Sequence, residues 1–159
     1  MSSGARRTVT VERVIPAPAE KIFAVLVAPA RHADLDGSGM LAGAPSGADR
    51  LELGARFGMA MKQGPFRYRS VNEVTDLQQD RTIAWRTTGQ WRGHTLVGGQ
   101  WWRYTLAPVE GGTLVQHSYE WGRAAFALLT VWLPRYPQRM ARTMPRTLER
   151  LEEVVLSGH

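Results

Sequence analysis

The chain has no cysteine among its 159 residues. This absence excludes disulfide bonds, thiolate metal sites and a cysteine nucleophile. It leaves the redox compartment open and mildly favours the cytosol. Long apolar runs are also missing, since the longest, Ala124–Leu133, has ten residues and is too short to span a bilayer. The opening residues, MSSGARRT, lack the apolar stretch of a secretory signal. We therefore expect a cytoplasmic protein without a transmembrane segment.

Lysine is scarce as well, because arginine supplies 18 of the 20 basic residues behind the net charge of +6. Five arginines have helical spacing and share one stripe: Arg135, Arg139, Arg142, Arg146 and Arg150. Five apolar residues share roughly the opposite stripe: Met140, Met144, Leu148, Leu151 and Val155. This pattern predicts an amphipathic helix over roughly Arg135–Leu156 with a solvated back. Contact of the arginines with an acidic partner or an anionic membrane stays open, whereas no nucleic-acid motif accompanies them and no nucleic-acid partner is expected.

Two consecutive segments predict a hairpin with an unusual buried face. Gln100–Leu106 reads QWWRYTL, Thr113–Trp121 reads TLVQHSYEW, and Gly111-Gly112 suits the turn between them. The period of two places four ring-bearing side chains on one face: Trp102, Tyr104, His117 and Tyr119. A core built only for stability prefers Leu, Ile and Val, whereas ligand pockets mix apolar walls with a few polar groups. The hairpin therefore indicates that the chain encloses a small molecule.

The remaining sequence predicts a single meander of short elements, with residues 1–7 as a flexible N-terminus and residues 8–157 as one domain. Two short helices are expected after the first strand, over Ala19–Ala28 and Arg31–Asp36. The predicted strands alternate apolar and polar residues between turn signals: Thr8–Ile15, Leu51–Leu53, Ala55–Lys62, Arg67–Thr75, Thr82–Thr88, Leu96–Leu106 and Thr113–Trp121. Short turns between successive strands favour an antiparallel sheet, and the predicted fold class is α+β.

In this order of elements the sequence resembles a known family. The run VTVERVIPAPAEKIFAVLVAPARH is similar to the opening of the SRPBCC superfamily (START and birch-pollen-allergen-like proteins), particularly its bacterial polyketide cyclase/dehydrase branch. The later runs FGMAMK, DRTIAW, WWRYTLAPVEGGTLV and RTLERLEEVV resemble the same branch, and together they cover about Thr8 to Val155. The resemblance implies a helix-grip fold, in which a curved seven-stranded antiparallel sheet grips the last helix around a hydrophobic cavity. One departure is Thr87–Gly99, which is longer than expected; its Trp91, Arg92 and His94 either overhang a pocket mouth or form a surface excursion.

Candidate ligand-binding residues follow from strand alternation and from the apolar stripe of the last helix: Phe57, Met59, Met61, Tyr68, Asn72, Trp85, Trp102, Tyr104, His117, Tyr119, Met140 and Met144. His117 and Tyr119 are also the catalytic candidates, because an imidazole with a neighbouring phenol can act as an acid or base on an enolisable ligand. The alternative is a buried histidine that lines the wall without reacting. The four methionines form either an adaptable wall or ordinary core filling.

Other sites and partners are bounded by what the sequence does not contain. No His, Asp or Glu spacing predicts a metal site, and no phosphate loop or dinucleotide motif predicts a cofactor. Ala124–Leu133 is apolar almost all round and forms a cavity lid, a homodimer contact or part of the core. Three functions therefore stay open: a module that binds a hydrophobic, ring-containing lipid or polyketide-like molecule, a cyclase or dehydratase using the same cavity, and a protein-interaction module.

Overall fold

The computed structural model describes residues 8–35, 46–47, 49–63, 66–91, 94–120 and 136–157. The helices are α1 (Ala19–Leu26), α2 (His32–Leu35) and α3 (Tyr136–Ser157), and a 3-10 turn, Pro29–Arg31, leads directly into α2. The strands are β1 (Thr8–Ile15), β2 (Ser46–Gly47), β3 (Arg56–Gln63), β4 (Phe66–Gln78), β5 (Thr82–Trp91), β6 (His94–Val109) and β7 (Gly112–Glu120). The predicted N-terminal segment, residues 1–7, lies outside the described residues.

One antiparallel sheet contains these strands in the order β1-β7-β6-β5-β4-β3-β2. Six of them have eight residues or more, whereas β2 has only two and pairs with β3 at the edge. The first strand therefore hydrogen-bonds to the last strand, and α1 and α2 lie in the connection between the two edges of the sheet. This arrangement, closed by α3, confirms the predicted α+β helix-grip fold.

The predicted strand Leu51–Leu53 is wrong. Leu51 is 1% exposed and its backbone N–H donates to the carbonyl of Val27, so it anchors the loop to the end of α1. Glu52 to Gly54 then form a turn, in which Gly54 has a φ of 81°. A positive φ is readily adopted by glycine, and it redirects the chain into β3 instead of extending a strand.

The hairpin of β6 and β7 depends on a close approach at its turn. Gly112 has a φ of 150°, and a Cβ on it would collide with the carbonyl oxygen of Ile15 on β1. Next to it, Thr113 Oγ1 donates a hydrogen bond of 2.7 Å to the carbonyl of Ala17. These two contacts hold the start of β7 against the corner between β1 and α1.

The last helix packs across the inner face of the sheet, against β1, β7, α1 and α2. Its predicted apolar stripe is confirmed, because all five members are buried: Met140, Met144, Leu148, Leu151 and Val155. Arg142, Arg146 and Arg150 are exposed on the other side, as the stripe of arginines predicts. Arg13 of β1 adds an ion pair between the sheet and α3, since its Nη2 donates to Glu152 Oε2 at 2.8 Å.

One part of the space between sheet and helices is filled by aliphatic side chains and one phenylalanine. We call this part the apolar end, and its fully or nearly fully buried members are Ile15, Ile22, Phe23, Leu26, Ile83, Leu106, Val115, Leu148 and Leu151. They come from β1, α1, β5, β6, β7 and the second half of α3, so burial here joins every layer of the fold. The apolar end therefore stabilises the fold strongly, because burying each side chain of this size contributes about 1.5–3 kcal/mol.

Candidate functional site

The ring-bearing residues of the β6–β7 hairpin lie on the inner face, next to the apolar end. Trp102 pairs across the strands with Tyr119, and Tyr104 pairs with His117. Two residues further along the same strands, Leu106 pairs with Val115, which belongs to the apolar end. Because side chains of one strand alternate between faces, all three pairs face α3. The predicted register of this hairpin is confirmed.

Seven rings of the described residues form a continuous band across the inner face. At one end of the band, the ring centroid of His32 lies 5.5 Å from that of Phe57 and 5.4 Å from that of Trp85. The centroid of Tyr104 lies 6.0 Å from that of Trp85 and 3.9 Å from that of His117. Trp102 continues the band, 5.7 Å from His117 and 4.5 Å from Tyr119. The planes of Tyr104 and His117 differ by only 12°, so these two rings are stacked. The band offers flat apolar surfaces of the kind that ring-shaped molecules stack on.

We call the part of this band beyond the apolar end, together with the two methionines of α3, the ring end: Trp102, Tyr104, His117, Tyr119, Met140 and Met144. All of these except Trp102 are at most 4% exposed. Trp102 is half-buried, so the ring end approaches solvent there. Met140 and Met144 belong to the first half of α3, whereas the leucines of the apolar end belong to its second half.

His117 is the most unusual residue of the ring end. It is 3% exposed, and neither Nδ1 nor Nε2 has a hydrogen-bond partner among the described residues. Burial lowers the pKa of His117 to about 3, because the charged imidazolium loses its hydration there. The ring is therefore neutral at pH 7, with one N–H donor and one nitrogen acceptor. A buried polar group left unpaired costs about 1–3 kcal/mol, so this position is not explained by stability.

His32 is part of the band, although no pattern in the sequence predicts it there. It lies on α2, 9% exposed, and its Nε2 is 2.9 Å from the carbonyl oxygen of Leu26. A carbonyl only accepts, so Nε2 carries the proton of the neutral ring. Burial lowers the pKa of His32, and the bond to Leu26 offsets this only in part. A four-residue helix has too few positions to show a period, so alternation could not have located this residue.

A second polar group on the inner face is fully engaged with its own strands. Asn72 Nδ2 donates to the carbonyl of Phe57 at 3.2 Å and to Ser70 Oγ at 3.4 Å. Its Oδ1 accepts a bond of 2.6 Å from Thr87 Oγ1. Asn72 therefore joins β3, β4 and β5, which accounts for its burial without a ligand. Its assignment as a binding residue stays a prediction.

The other predicted site residues divide by what the structure describes. Phe57 and Trp85 belong to the ring band, 5.7 Å apart. Met59, Met61 and Tyr68 lie in the paired backbones of β3 and β4, where Met61 is opposite Tyr68, but their side chains lie outside the described part. Ala124–Leu133, the predicted lid or dimer segment, also lies outside it.

The predicted extension over Thr87–Gly99 is a longer hairpin of β5 and β6. Its backbone pairs as far as Trp91 with His94, and Arg92 lies outside the described residues. Between the pairs Thr87–Gln100 and Gly89–Val97, β6 has two residues where β5 has one, so the hairpin contains a bulge. A bulge bends and twists a strand pair, which redirects this extension relative to the sheet.

No group of three or more His, Asp or Glu side chains suited to a metal ion occurs in the described ranges. In the same part of the chain, no helix combines the length and apolarity needed to cross a bilayer.

The family to which this chain belongs is described as "Polyketide cyclase / dehydrase and lipid transport", and its profile matches residues 6–155. The predicted resemblance to the SRPBCC superfamily is thereby confirmed. A curated relative, the uncharacterized protein Rv0088 of Mycobacterium tuberculosis, is 33% identical over 97 residues. That alignment covers 60% of this chain and 40% of the relative, so the chain spans about two fifths of that protein's length.

Solved structures share the fold at low sequence identity. Protein Ms6760 from Mycobacterium smegmatis has a TM-score of 0.69 at 15% identity, with 99% of this chain and 96% of that one covered. The structure of Ara h 8.0201 has a TM-score of 0.65 at 14% identity, with coverage of 94% and 97%. Similarity at this identity establishes the fold, and function has to be argued from the site.

Proposed function

We propose that this protein binds a hydrophobic, ring-containing small molecule between the inner face of the sheet and α3. The observation that carries the proposal is the band of seven described rings, which reaches Trp102 where the inner face approaches solvent. A core selected only for stability would continue the aliphatic packing of the apolar end along the same strands. The family description, which includes lipid transport, supports a ligand of this chemical character.

Binding is favoured over cyclase or dehydratase catalysis by the state of His117. A general acid or base works best with a pKa near the operating pH, whereas the pKa of His117 is lowered to about 3. Tyr104 stacks on the face of the imidazole, with the two ring centroids 3.9 Å apart. Neither imidazole nitrogen has a hydrogen bond to a described residue, so no such bond is present to raise the pKa of the ring. The site thus has the features of a wall that holds a ligand.

Native mass spectrometry of freshly purified protein tests the proposal first. We expect a bound lipophile that is lost on denaturation, or, for ligand-free protein, saturable uptake of the neutral dye Nile red. Trp102→Ala should weaken dye binding about tenfold or more, because it removes a ring that packs on Tyr119. The matched control is Trp101→Ala, since Trp101 is the adjacent residue and faces the other side of the sheet.

Two results would contradict the proposal. One is wild-type protein that carries no lipophile and takes up no dye. The other is equal loss of dye binding in the Trp101 and Trp102 variants, which would assign the dye to the outer surface.

A further inference from the structure

His117 differs from Asn72 and Thr113, two other buried polar residues of the inner face, in having no hydrogen bond within the described part of the chain. Asn72 is bonded to three groups on β3, β4 and β5, and Thr113 is bonded to Ala17. The sheet thus satisfies these two polar side chains with hydrogen bonds of its own, whereas the imidazole would be satisfied by a ligand atom.

The orientation of the imidazole leaves its edge as the part that can bind. Tyr104 covers one face in a nearly parallel stack, and Trp102 lies 5.7 Å away at an angle of 34°. The nitrogens lie in the ring plane, where a hydrogen-bond partner approaches along the edge. A neutral imidazole offers one donor and one acceptor, which suits a hydroxyl or a carbonyl oxygen.

The charges on the inner face favour an uncharged ligand group beside His117. Among the described residues that face α3 from the sheet, the one ionised side chain is Arg13, and its guanidinium is engaged by Glu152 at 2.8 Å. Glu149 and Glu153 add further negative potential around it. A carboxylate or phosphate placed beside His117 would therefore lose its hydration without gaining a free cation from the described residues of the sheet.

We propose that the ring end selects an uncharged ring molecule whose hydroxyl or carbonyl oxygen hydrogen-bonds to His117. This inference rests on the proposed function and narrows its ligand class: neutral hydroxylated or keto ring compounds are bound, and fatty-acid-like anions are excluded. The rings supply shape and apolar contact, whereas His117 supplies a directional contact.

Three probes with the same ring system separate these contributions at pH 7: naphthalene, 2-naphthol and 2-naphthoate. For the wild type we expect 2-naphthol to bind about tenfold more tightly than naphthalene, the scale of one hydrogen bond. The anion 2-naphthoate should bind at least about tenfold more weakly than 2-naphthol. Dissociation constants from equilibrium dialysis give all three values without a variant.

The variant His117→Phe keeps a planar ring beside Tyr104 and removes both nitrogens. Its preference for 2-naphthol over naphthalene should disappear, while naphthalene itself still binds. Gln116→Phe is the matched control, because Gln116 is the neighbouring residue on β7 and faces the other side of the sheet, where its Nε2 donates to Glu12. It should retain the preference for 2-naphthol. His117→Gln, which keeps a donor and an acceptor, should recover part of it.

The outcomes separate this inference from the proposed function. A wild type that binds neither these probes nor Nile red overturns both, whereas one that binds Nile red but none of the probes overturns the inference alone. A wild type that binds naphthalene and 2-naphthol equally, or prefers 2-naphthoate, overturns the inference and leaves hydrophobic binding intact. The inference also fails if His117→Phe retains the full preference for 2-naphthol. Because the first two comparisons use only the wild type, the inference stays testable even if a variant fails to fold.

Discussion

The apolar end and the ring end share β6, β7 and α3, yet their side chains differ in chemical character. Along β7, the inward residues change from Val115 to His117 and Tyr119, and along α3 the buried residues change from leucines to Met144 and Met140. The apolar end contains almost no polar side-chain atoms, so its burial is nearly all favourable. The ring end buries an imidazole without a partner in the described structure, which opposes folding.

Under the proposed function, the fold separates stability from binding. Because strands and α3 cross both ends, the apolar end can hold the backbone of the ring end in place. The ring end is then free to carry residues that are poor for stability and good for a ligand. Substitutions at each end, and on the outer side of α3, can therefore test this division.

Leu151→Ala should lower the free energy of unfolding by about 2–5 kcal/mol, because Leu151 is fully buried in the apolar end and its removal leaves a cavity. The control is Leu156→Ala on the same helix, where the side chain is 54% exposed and the change should stay within about 0.5 kcal/mol. Urea unfolding of both variants measures the difference. Equal effects would contradict the role given to the apolar end.

Acidification should destabilise the protein through the ring end. The pKa of His117 is about 3 in the folded state and about 6.5 when unfolded, so below pH 6.5 the unfolded chain binds the extra proton. Stability is therefore fully present above pH 6.5 and falls as the pH drops from 6.5 toward 3, by up to about 1.4 kcal/mol per pH unit for this group. The lowered pKa of His32 acts in the same direction.

His117→Phe should make this pH dependence shallower by close to one proton, measured by urea unfolding at pH 7.5, 6 and 5. At pH 7 the variant should be as stable as the wild type or slightly more stable, since it removes an unpaired buried polar group. An unchanged slope between pH 6 and 5 would show that His117 is not a buried, neutral imidazole.

A weak effect is expected on the outer side of α3. Replacing Arg142 and Arg146 together with Gln should change the free energy of unfolding by less than about 1 kcal/mol, because both side chains are exposed. Binding of Nile red should be unchanged. Salt-sensitive binding of the wild type to anionic vesicles, lost in this double variant, would instead support a membrane contact for the arginine stripe.

Periodic features of this fold could be predicted from the sequence. Features that depend on contacts between segments distant in the sequence could not. The alternation through Trp102, Tyr104, His117 and Tyr119 predicted the correct register, and the apolar stripe from Met140 to Val155 predicted the correct face of α3. Both signals repeat often enough to exclude other structures. The family resemblance added the helix-grip arrangement, in which the sheet curves around the last helix.

The failures share a different physical origin. Leu51–Leu53 resembles a strand, but a hydrogen bond to Val27 and the turn at Gly54 decide its conformation. His32 joins the ring band through a four-residue helix with no readable period. Asn72 is hydrogen-bonded within the described structure, whereas His117 is not. This difference depends on which side chains the neighbouring strands present, so it is a property of packing rather than of a single segment.

The two ends can be compared most directly by overfilling each one at equivalent positions of α3. Met144 and Leu148 are both 1% exposed and lie one turn apart on the same face, Met144 at the ring end and Leu148 at the apolar end. Leu148→Trp should overpack the apolar end and cost about 1–3 kcal/mol in unfolding free energy. Met144→Trp should cost less than about 1 kcal/mol and abolish binding of 2-naphthol, because the indole occupies the space proposed for the ligand. If Met144→Trp is as destabilising as Leu148→Trp, or leaves 2-naphthol binding intact, the ring end is not the binding site.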